Sequence, residues 1–514
     1  MEAPMTFLSV IGRFATLSVL FLGAVALSGC PGGGGDSSDI LLTQQAYLKA
    51  SNTGPGDLFS TTIAFDGDTL VVGAPFEDSN LVGNPADNTT SGSGAVYVFT
   101  KSGGVWSQQA YLKASNIGAG DNFGTSVALD GDTLVVGSPL ESSNATGVNG
   151  NQADNSANGS GAVYVFTRSG GVWSQQAYVK ASNAEAGDNF GTNVALDGDT
   201  LVVGSPFESS NATGVNGNQA DNSASGSGAV YVFTRSAGVW SQQAYVKASN
   251  TEAGDQFGKS VALSGETLVV GASGEDSALT GVTANSPNEA ATGNGAGNSG
   301  AVYVITRSAG VWSQQAYLKA SNAQIGDDFG GSVALSSDTL VVGASQEDSN
   351  ATGVNGDQSS NSASGSGAAY VFTRSADVWS QQAYLKASNS EAGDNFGASV
   401  ALDSETVVIG AFNEDSNGIG ANLNQADNSA SGSGAAYVFT RSAGVWTPEV
   451  YVKASNSEAG DQFGYRVAVS AGQIAVGANV EGSALTGVTN GSPNEAATGN
   501  GASISGAVYL FAPQ

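Results

Sequence analysis

Gly120-Asp121-Asn122-Phe123-Gly124-Thr125-Ser126-Val127-Ala128-Leu129-Asp130-Gly131-Asp132-Thr133-Leu134-Val135-Val136-Gly137-Ser138-Pro139 is the stretch that decides the fold. Two short apolar runs, Val127 to Leu129 and Leu134 to Val136, flank Asp130-Gly131-Asp132, whose glycine suits a tight turn, so the stretch reads as a β-hairpin. Its Gly-Asp-x-Phe opening recurs at Asp57/Phe59, Asp121/Phe123, Asp188/Phe190, Asp255/Phe257, Asp327/Phe329, Asp394/Phe396 and Asp461/Phe463, at spacings of 64, 67, 67, 72, 67 and 67 residues. After each hairpin come a long Asn/Ser/Gly loop, a third strand such as Gly161 to Arg168, a short turn, and a fourth strand such as Val172 to Lys180. Four strands per copy with no helical periodicity describe a propeller blade, and such self-similarity outweighs any domain count inferred from the length of 514 residues.

The two ends of the repeat region do not match each other. The region opens with Ile40-Leu41-Leu42-Thr43-Gln44-Gln45-Ala46-Tyr47-Leu48-Lys49, a fourth strand with no blade before it, and closes with Gly506 to Phe511, a third strand with no fourth after it. Together they complete one blade, which removes the open edge of the ring. The predicted fold is therefore all-β: residues 40–514 form a seven-bladed β-propeller of four-stranded antiparallel blades, closed by pairing of the N- and C-terminal strands. Trp106, Trp173, Trp240, Trp312, Trp379 and Trp446 begin fourth strands and read as blade-packing aromatics. Lys49, Lys113, Lys180, Lys247, Lys319, Lys386 and Lys453 lie on outermost strands, where they read as charges that discourage edge-to-edge pairing.

Ahead of the repeats, Arg13 precedes an apolar run from Phe14 to Ala26 that is too short to span a bilayer, and then Leu27-Ser28-Gly29-Cys30. This resembles the bacterial lipobox, which implies that residues 1–29 are a signal peptide and that Cys30 carries the lipid. Residues 30–39 then form a Gly/Ser tether. The missing Asp after Cys30 implies, by the same resemblance, the outer membrane and the cell surface. Cys30 is the chain's only cysteine, so thiol chemistry and disulfides are excluded from the folded part. Removing Glu2 and Arg13 with the leader leaves 15 − 44 = −29 charges. That charge repels nucleic acid and anionic bilayers and favours cations or basic partners.

Phe123-Gly124 followed by Val136-Gly137-Ser138-Pro139, and Val72-Gly73-Ala74-Pro75 in the first copy, resemble the FG-GAP repeat of integrin α-subunit propellers and of many bacterial surface proteins. The resemblance implies a propeller fold and a role in binding or adhesion. Integrin-like blades often carry an Asp-x-Asp-x-Asp-Gly calcium loop between the first two strands. Here that connection drifts from Asp66-Gly67-Asp68 to Ser264-Gly265-Glu266, Ser336-Ser337-Asp338 and Ser470-Ala471-Gly472, so those calcium sites are not carried over.

Two other acids recur in every copy: Asp57, Asp121, Asp188, Asp255, Asp327, Asp394 and Asp461 before each Phe, and Glu77, Glu141, Glu208, Glu275, Glu347, Glu414 and Glu481 after each second strand. Antiparallel pairing puts both on one face of the disc, beside the long loops. Two readings of them stand side by side: acceptors for backbone N–H groups within turns, or oxygen ligands for Ca2+. The chain has no His, so the usual nucleophile–base pairs are missing, and carboxylate catalysis needs two acids in unlike environments, which near-identical copies do not offer. The sequence thus reads as a non-enzymatic, monomeric, lipid-tethered surface protein that binds a protein or glycan, with Ca2+ as the candidate cofactor and no nucleic-acid partner. Its rivals are an exported carbohydrate-active enzyme and a coat or matrix component.

Overall fold

The hairpin quoted above forms from Ser126–Asp130 and Thr133–Ser138, paired antiparallel with Leu129 opposite Leu134 and Val127 opposite Val136. Ala162–Ser169 and Val172–Val179 extend it outward into a four-stranded sheet. The second strand is buried along its whole length, as a strand sandwiched between neighbouring blades must be. The same unit recurs in seven separate sheets, so the computed structural model is a seven-bladed β-propeller. It describes residues 42–80, 87–284, 294–491 and 500–514; the leader and Cys30 lie outside the described residues.

The expected closure is present. Leu42–Leu48 pairs antiparallel with Ala507–Pro513, with Tyr47 opposite Tyr509, and completes the blade that holds Phe463–Ser470 and Gln473–Ala478. Numbering this blade seven makes Thr62–Asp66 the start of blade one.

The core is not one central mass. Each apolar cluster lies between two adjacent blades, because alternate residues of a strand face opposite sides. Val163 and Val165 pack towards blade three with Leu201, Tyr231 and Trp240, whereas Ala162, Tyr164 and Phe166 pack towards blade one with Val71, Val96 and Val98. Phe123 stands edge-on to Tyr164, with ring centroids 5.3 Å apart. The recurrent glycines have a steric cause: a Cβ on Gly137 would lie 2.1 Å from the carbonyl oxygen of Gly191 in the next blade. Gly191 itself has φ near +92°, where a side chain is strained.

On the turn side of the disc, adjacent blades are tied by the tryptophans. Trp173 Nε1 donates to Gln109 Oε1 of the preceding blade at 2.8 Å, and the Arg168 guanidinium lies 5.1 Å from the Trp173 ring centroid. Four more tryptophans repeat the tie. Blade seven is the exception, because Leu42 stands where the others have Trp and Glu449 in blade six stands where they have Gln. Across its other boundary, the buried indole N–H of Trp106 has no hydrogen-bond partner among the described residues, and Gln45, its positional match, donates to Thr43 instead.

The outer edges are covered by segments that the sequence reading left as loop. Val282–Ala284, Gly420–Ala421 and Val488–Asn490 fold back from the long connections and pair with the outermost strands of their own blades. Single bridges do the same at Val148, Val215 and Val354. Edge protection therefore comes from the loops, which corrects the reading of the lysines as edge charges.

Candidate functional site

The seven lysines point inward and are fully buried. Each sits at or just past the end of a fourth strand, where the ends of strands two and three of the same blade also arrive. Lys113 meets Glu77 at 2.9 Å, Lys180 meets Glu141 at 2.9 Å, Lys247 meets Glu208 at 2.9 Å and Lys319 meets Glu275 at 2.8 Å. Lys386 meets Glu347 at 3.0 Å, Lys453 meets Glu414 at 2.9 Å, and Lys49, arriving from the other end of the chain, meets Glu481 at 2.7 Å. Each ammonium also donates to a serine hydroxyl that precedes strand three, as Lys180 does to Ser160 at 2.7 Å. A charge buried without a partner costs several kcal/mol, so the recurrence of Glu and Lys together is a matching requirement. Burial holds Lys113, Lys180, Lys247, Lys386 and Lys453 below the usual lysine pKa, and the facing glutamate opposes that shift.

The other glutamate oxygen reaches across the blade boundary. Asn116 follows the outer strand of blade one, donates to Glu141 Oε1 of blade two at 3.0 Å, and accepts from the Tyr164 hydroxyl at 2.6 Å. Asn183 does the same for Glu208 and Tyr231, and Asn389 for Glu414 and Tyr437. Every glutamate is thus held by a lysine from its own blade and an asparagine from the one before. The sequence reading did not single out these asparagines, although Lys-Ala-Ser-Asn recurs seven times, from Lys49-Ala50-Ser51-Asn52 to Lys453-Ala454-Ser455-Asn456.

The aspartates lie close enough to these glutamates to feel their charge, as the expected shared face requires. Their carboxylates accept backbone N–H groups three residues upstream: Gly54 to Asp57 at 2.8 Å, Glu185 to Asp188 at 3.1 Å, Glu252 to Asp255 at 2.9 Å, Gln324 to Asp327 at 2.8 Å, and Glu391 to Asp394 and Glu458 to Asp461 at 2.9 Å each. Burial is the main reason that Asp57, Asp188, Asp327, Asp394 and Asp461 are pushed up to about 7, Asp121 to about 6 and Asp255 to about 8. The aspartates thus make the turn hydrogen bonds of the first reading, and the glutamates are paired with lysine. Among the described residues, no group of three or more His, Cys, Asp or Glu side chains is placed to hold a metal ion.

The ring of aspartates gives the protein a defined pH response. An aspartate with an ordinary pKa of 3.8 when unfolded and about 7 when folded takes up a proton on folding between those values. Stability from this source is fully present below the unfolded pKa and is lost as pH rises through the folded one. Scanning calorimetry at fixed ionic strength should show a higher melting temperature at about pH 5 than at about pH 8. Asp188→Asn should flatten the slope, and equal melting at both pH values would remove the ring as its source.

The FG-GAP repeat profile matches residues 42–99, 106–166, 173–233, 240–305, 312–372, 379–439 and 446–511, one segment for each copy. No curated protein matches the chain.

Proposed function

The chain belongs to the FG-GAP repeat family, and from that membership we propose that it is a monomeric, lipid-tethered protein of the cell envelope whose loop face binds a protein or glycan partner. One observation carries the choice of face. At the position just before the recurrent glutamate, blades one to three expose Phe76, Leu140 and Phe207, 47%, 42% and 41% accessible, whereas blades four to six have Gly274, Gln346 and Asn413 there. A run of exposed apolar side chains on three consecutive blades breaks the ring's symmetry and suits a partner surface. Beside Phe207 lies a groove of about 530 Å³ lined also by Glu185, Asp188 and Asn222.

The tether rests on the lipobox-like Leu27-Ser28-Gly29-Cys30. The reading requires no catalysis, because each recurrent acid is tied into the same hydrogen bonds in successive blades. It requires no Ca2+ either, because the glutamates are already neutralised by lysine.

The test is to titrate labelled full chain onto cells of the producing organism and onto isolated envelope polysaccharide, with and without a calcium chelator. Retention should be saturable, unchanged by the chelator, and at least tenfold weaker in the triple variant Phe76→Ser, Leu140→Ser, Phe207→Ser. The variant Val172→Ser, Val239→Ser, Val311→Ser alters exposed residues of the turn side and should bind as the parent does. No retention on either surface, or equal loss in both variants, would overturn the reading.

A further inference from the structure

The pairs of residues at the entry to each innermost strand vary from copy to copy: Thr61-Thr62, Thr125-Ser126, Thr192-Asn193, Lys259-Ser260, Gly331-Ser332, Ala398-Ser399 and Tyr465-Arg466. They ring the mouth of the central channel, a cavity of about 350 Å³ to which all seven blades contribute. Five copies offer only small side chains there. Blade four contributes a lysine, and blade seven a tyrosine and an arginine.

Those two cations differ from the ion-paired lysines and arginines of the propeller. The seven buried lysines are paired with glutamate, and five arginines are paired with Asp or Glu on the turn side. Lys101 lies over Trp106 and donates to Gln473. Lys259 and Arg466 remain, and neither has a carboxylate within ion-pair distance among the described residues. In a chain of net charge −29, two of the three propeller cations without a carboxylate partner among the described residues thus share one opening, the third being Lys101 on the turn side. Asp328 on the adjoining blade senses Lys259 from beyond that distance, and burial pushes its own pKa up. Arg466 is held in place: its Nε donates to the Thr61 carbonyl at 3.0 Å, and its guanidinium lies 5.2 Å from the Tyr465 ring centroid.

The hydroxyls around the mouth are directed as well. Thr61, Thr125 and Thr192 donate to the carbonyls of Leu58, Asn122 and Asn189, and Ser126, Ser260 and Ser332 donate to those of Gly191, Gly330 and Gly397. A hydroxyl that has spent its proton inward keeps lone pairs to accept from a ligand. The mouth therefore presents a ring of acceptors together with fixed positive charge. Bare carboxylates or phosphates have no use for such acceptors, whereas a polyhydroxylated ring that bears an acid uses both.

We propose that the channel mouth binds a hexuronate unit of an acidic glycan, with Arg466 holding the carboxylate, Lys259 adding positive potential from across the ring, and the threonine and serine oxygens accepting from the sugar hydroxyls. The cavity is within the usual range for small-ligand sites, about 300–1,000 Å³. A Debye length of about 8 Å at physiological salt screens the ligand from most of the chain's negative charge. This deepens the binding reading above and rests on it.

The test is saturation-transfer NMR of the full chain with D-glucuronate, with D-glucose and acetate as comparisons. Glucuronate should bind saturably and at least tenfold more tightly than either comparison. Arg466→Gln should weaken it at least tenfold, Lys259→Gln by a smaller factor, and Arg466→Lys should keep part of the affinity. Lys259 is exposed and spared from structural bonds, so its variant reports on binding even if Arg466→Gln loosens the seam with blade one. No glucuronate binding, equal binding of glucose or of acetate, or indifference to both Gln variants would overturn the proposal. These results are independent of retention on cells or polysaccharide, so failure here with retention intact rejects the site and leaves the binding role standing.

Discussion

Replacing Lys247 with methionine should lower the unfolding free energy by about 3–5 kcal/mol, because it leaves a buried carboxylate without its cation. Lys247 is fully buried, 2.9 Å from Glu208 and 2.7 Å from Ser227. Without it, Glu208 keeps only neutral donors such as Asn183 and Tyr245. The double variant Lys247→Met, Glu208→Gln should recover a large part of the loss, since it removes the stranded charge as well. Asp199→Asn breaks the solvent-exposed pair with Arg235 and should cost no more than about 1 kcal/mol. Urea midpoints at constant slope measure all three. A single-variant cost near that of the exposed pair would mean that the buried ring is energetically ordinary.

Deleting residues 42–52 should have the larger effect still, abolishing the cooperative melting transition of the native propeller. The deletion removes the outer strand of blade seven, with Tyr47 and Leu48 fully buried, and uncovers the edge of Ala507–Pro513. It also takes away Lys49 and Asn52, stranding Glu481 and breaking the tie to Glu77. An open ring with an uncovered edge is prone to pair with other copies, so size-exclusion chromatography should show association. A peptide spanning residues 40–52, added in trans, should restore a transition. A deletion variant that melts as the parent does would mean that closure contributes little.

Much of the fold was legible in the chain because its cues are local. Asp130-Gly131-Asp132 between two apolar runs fixes the hairpin, and the mismatch between Ile40 to Lys49 and Gly506 to Phe511 fixes the closure. The shared face of Asp and Glu followed from antiparallel geometry alone. The lysines were misread because strand position says nothing about what folds over it: Val282–Ala284 and its counterparts cover the edge, and the ammonium turns inward to a glutamate dozens of residues away. The asparagine bridge was missed for a related reason, since Asn116 meets residues 25 and 48 positions ahead, in the next copy. At the channel the signal was present in plain view, as a lysine and a Tyr-Arg pair in a register otherwise filled by Thr, Ser, Gly, Ala and Asn.

The missing tryptophan ties make the boundaries of blade seven the expected first place for the disc to open. A linear array frays at its terminal repeats, whereas a closed ring has none, so opening must begin where a boundary is weakest. Both boundaries of blade seven lack the indole-to-glutamine bond on the turn side, although its loop side keeps the Asn456 and Asn52 bridges. The turn side of blade seven is still spanned by Lys101 to Gln473 and Gly67 to Ser470 on one flank and by Ala471 to Asp403 on the other, so its loosening there should stretch these lighter bonds without breaking the circle. The same blade carries Tyr465 and Arg466, so loosening of its turn-side joints would change the width of the channel mouth.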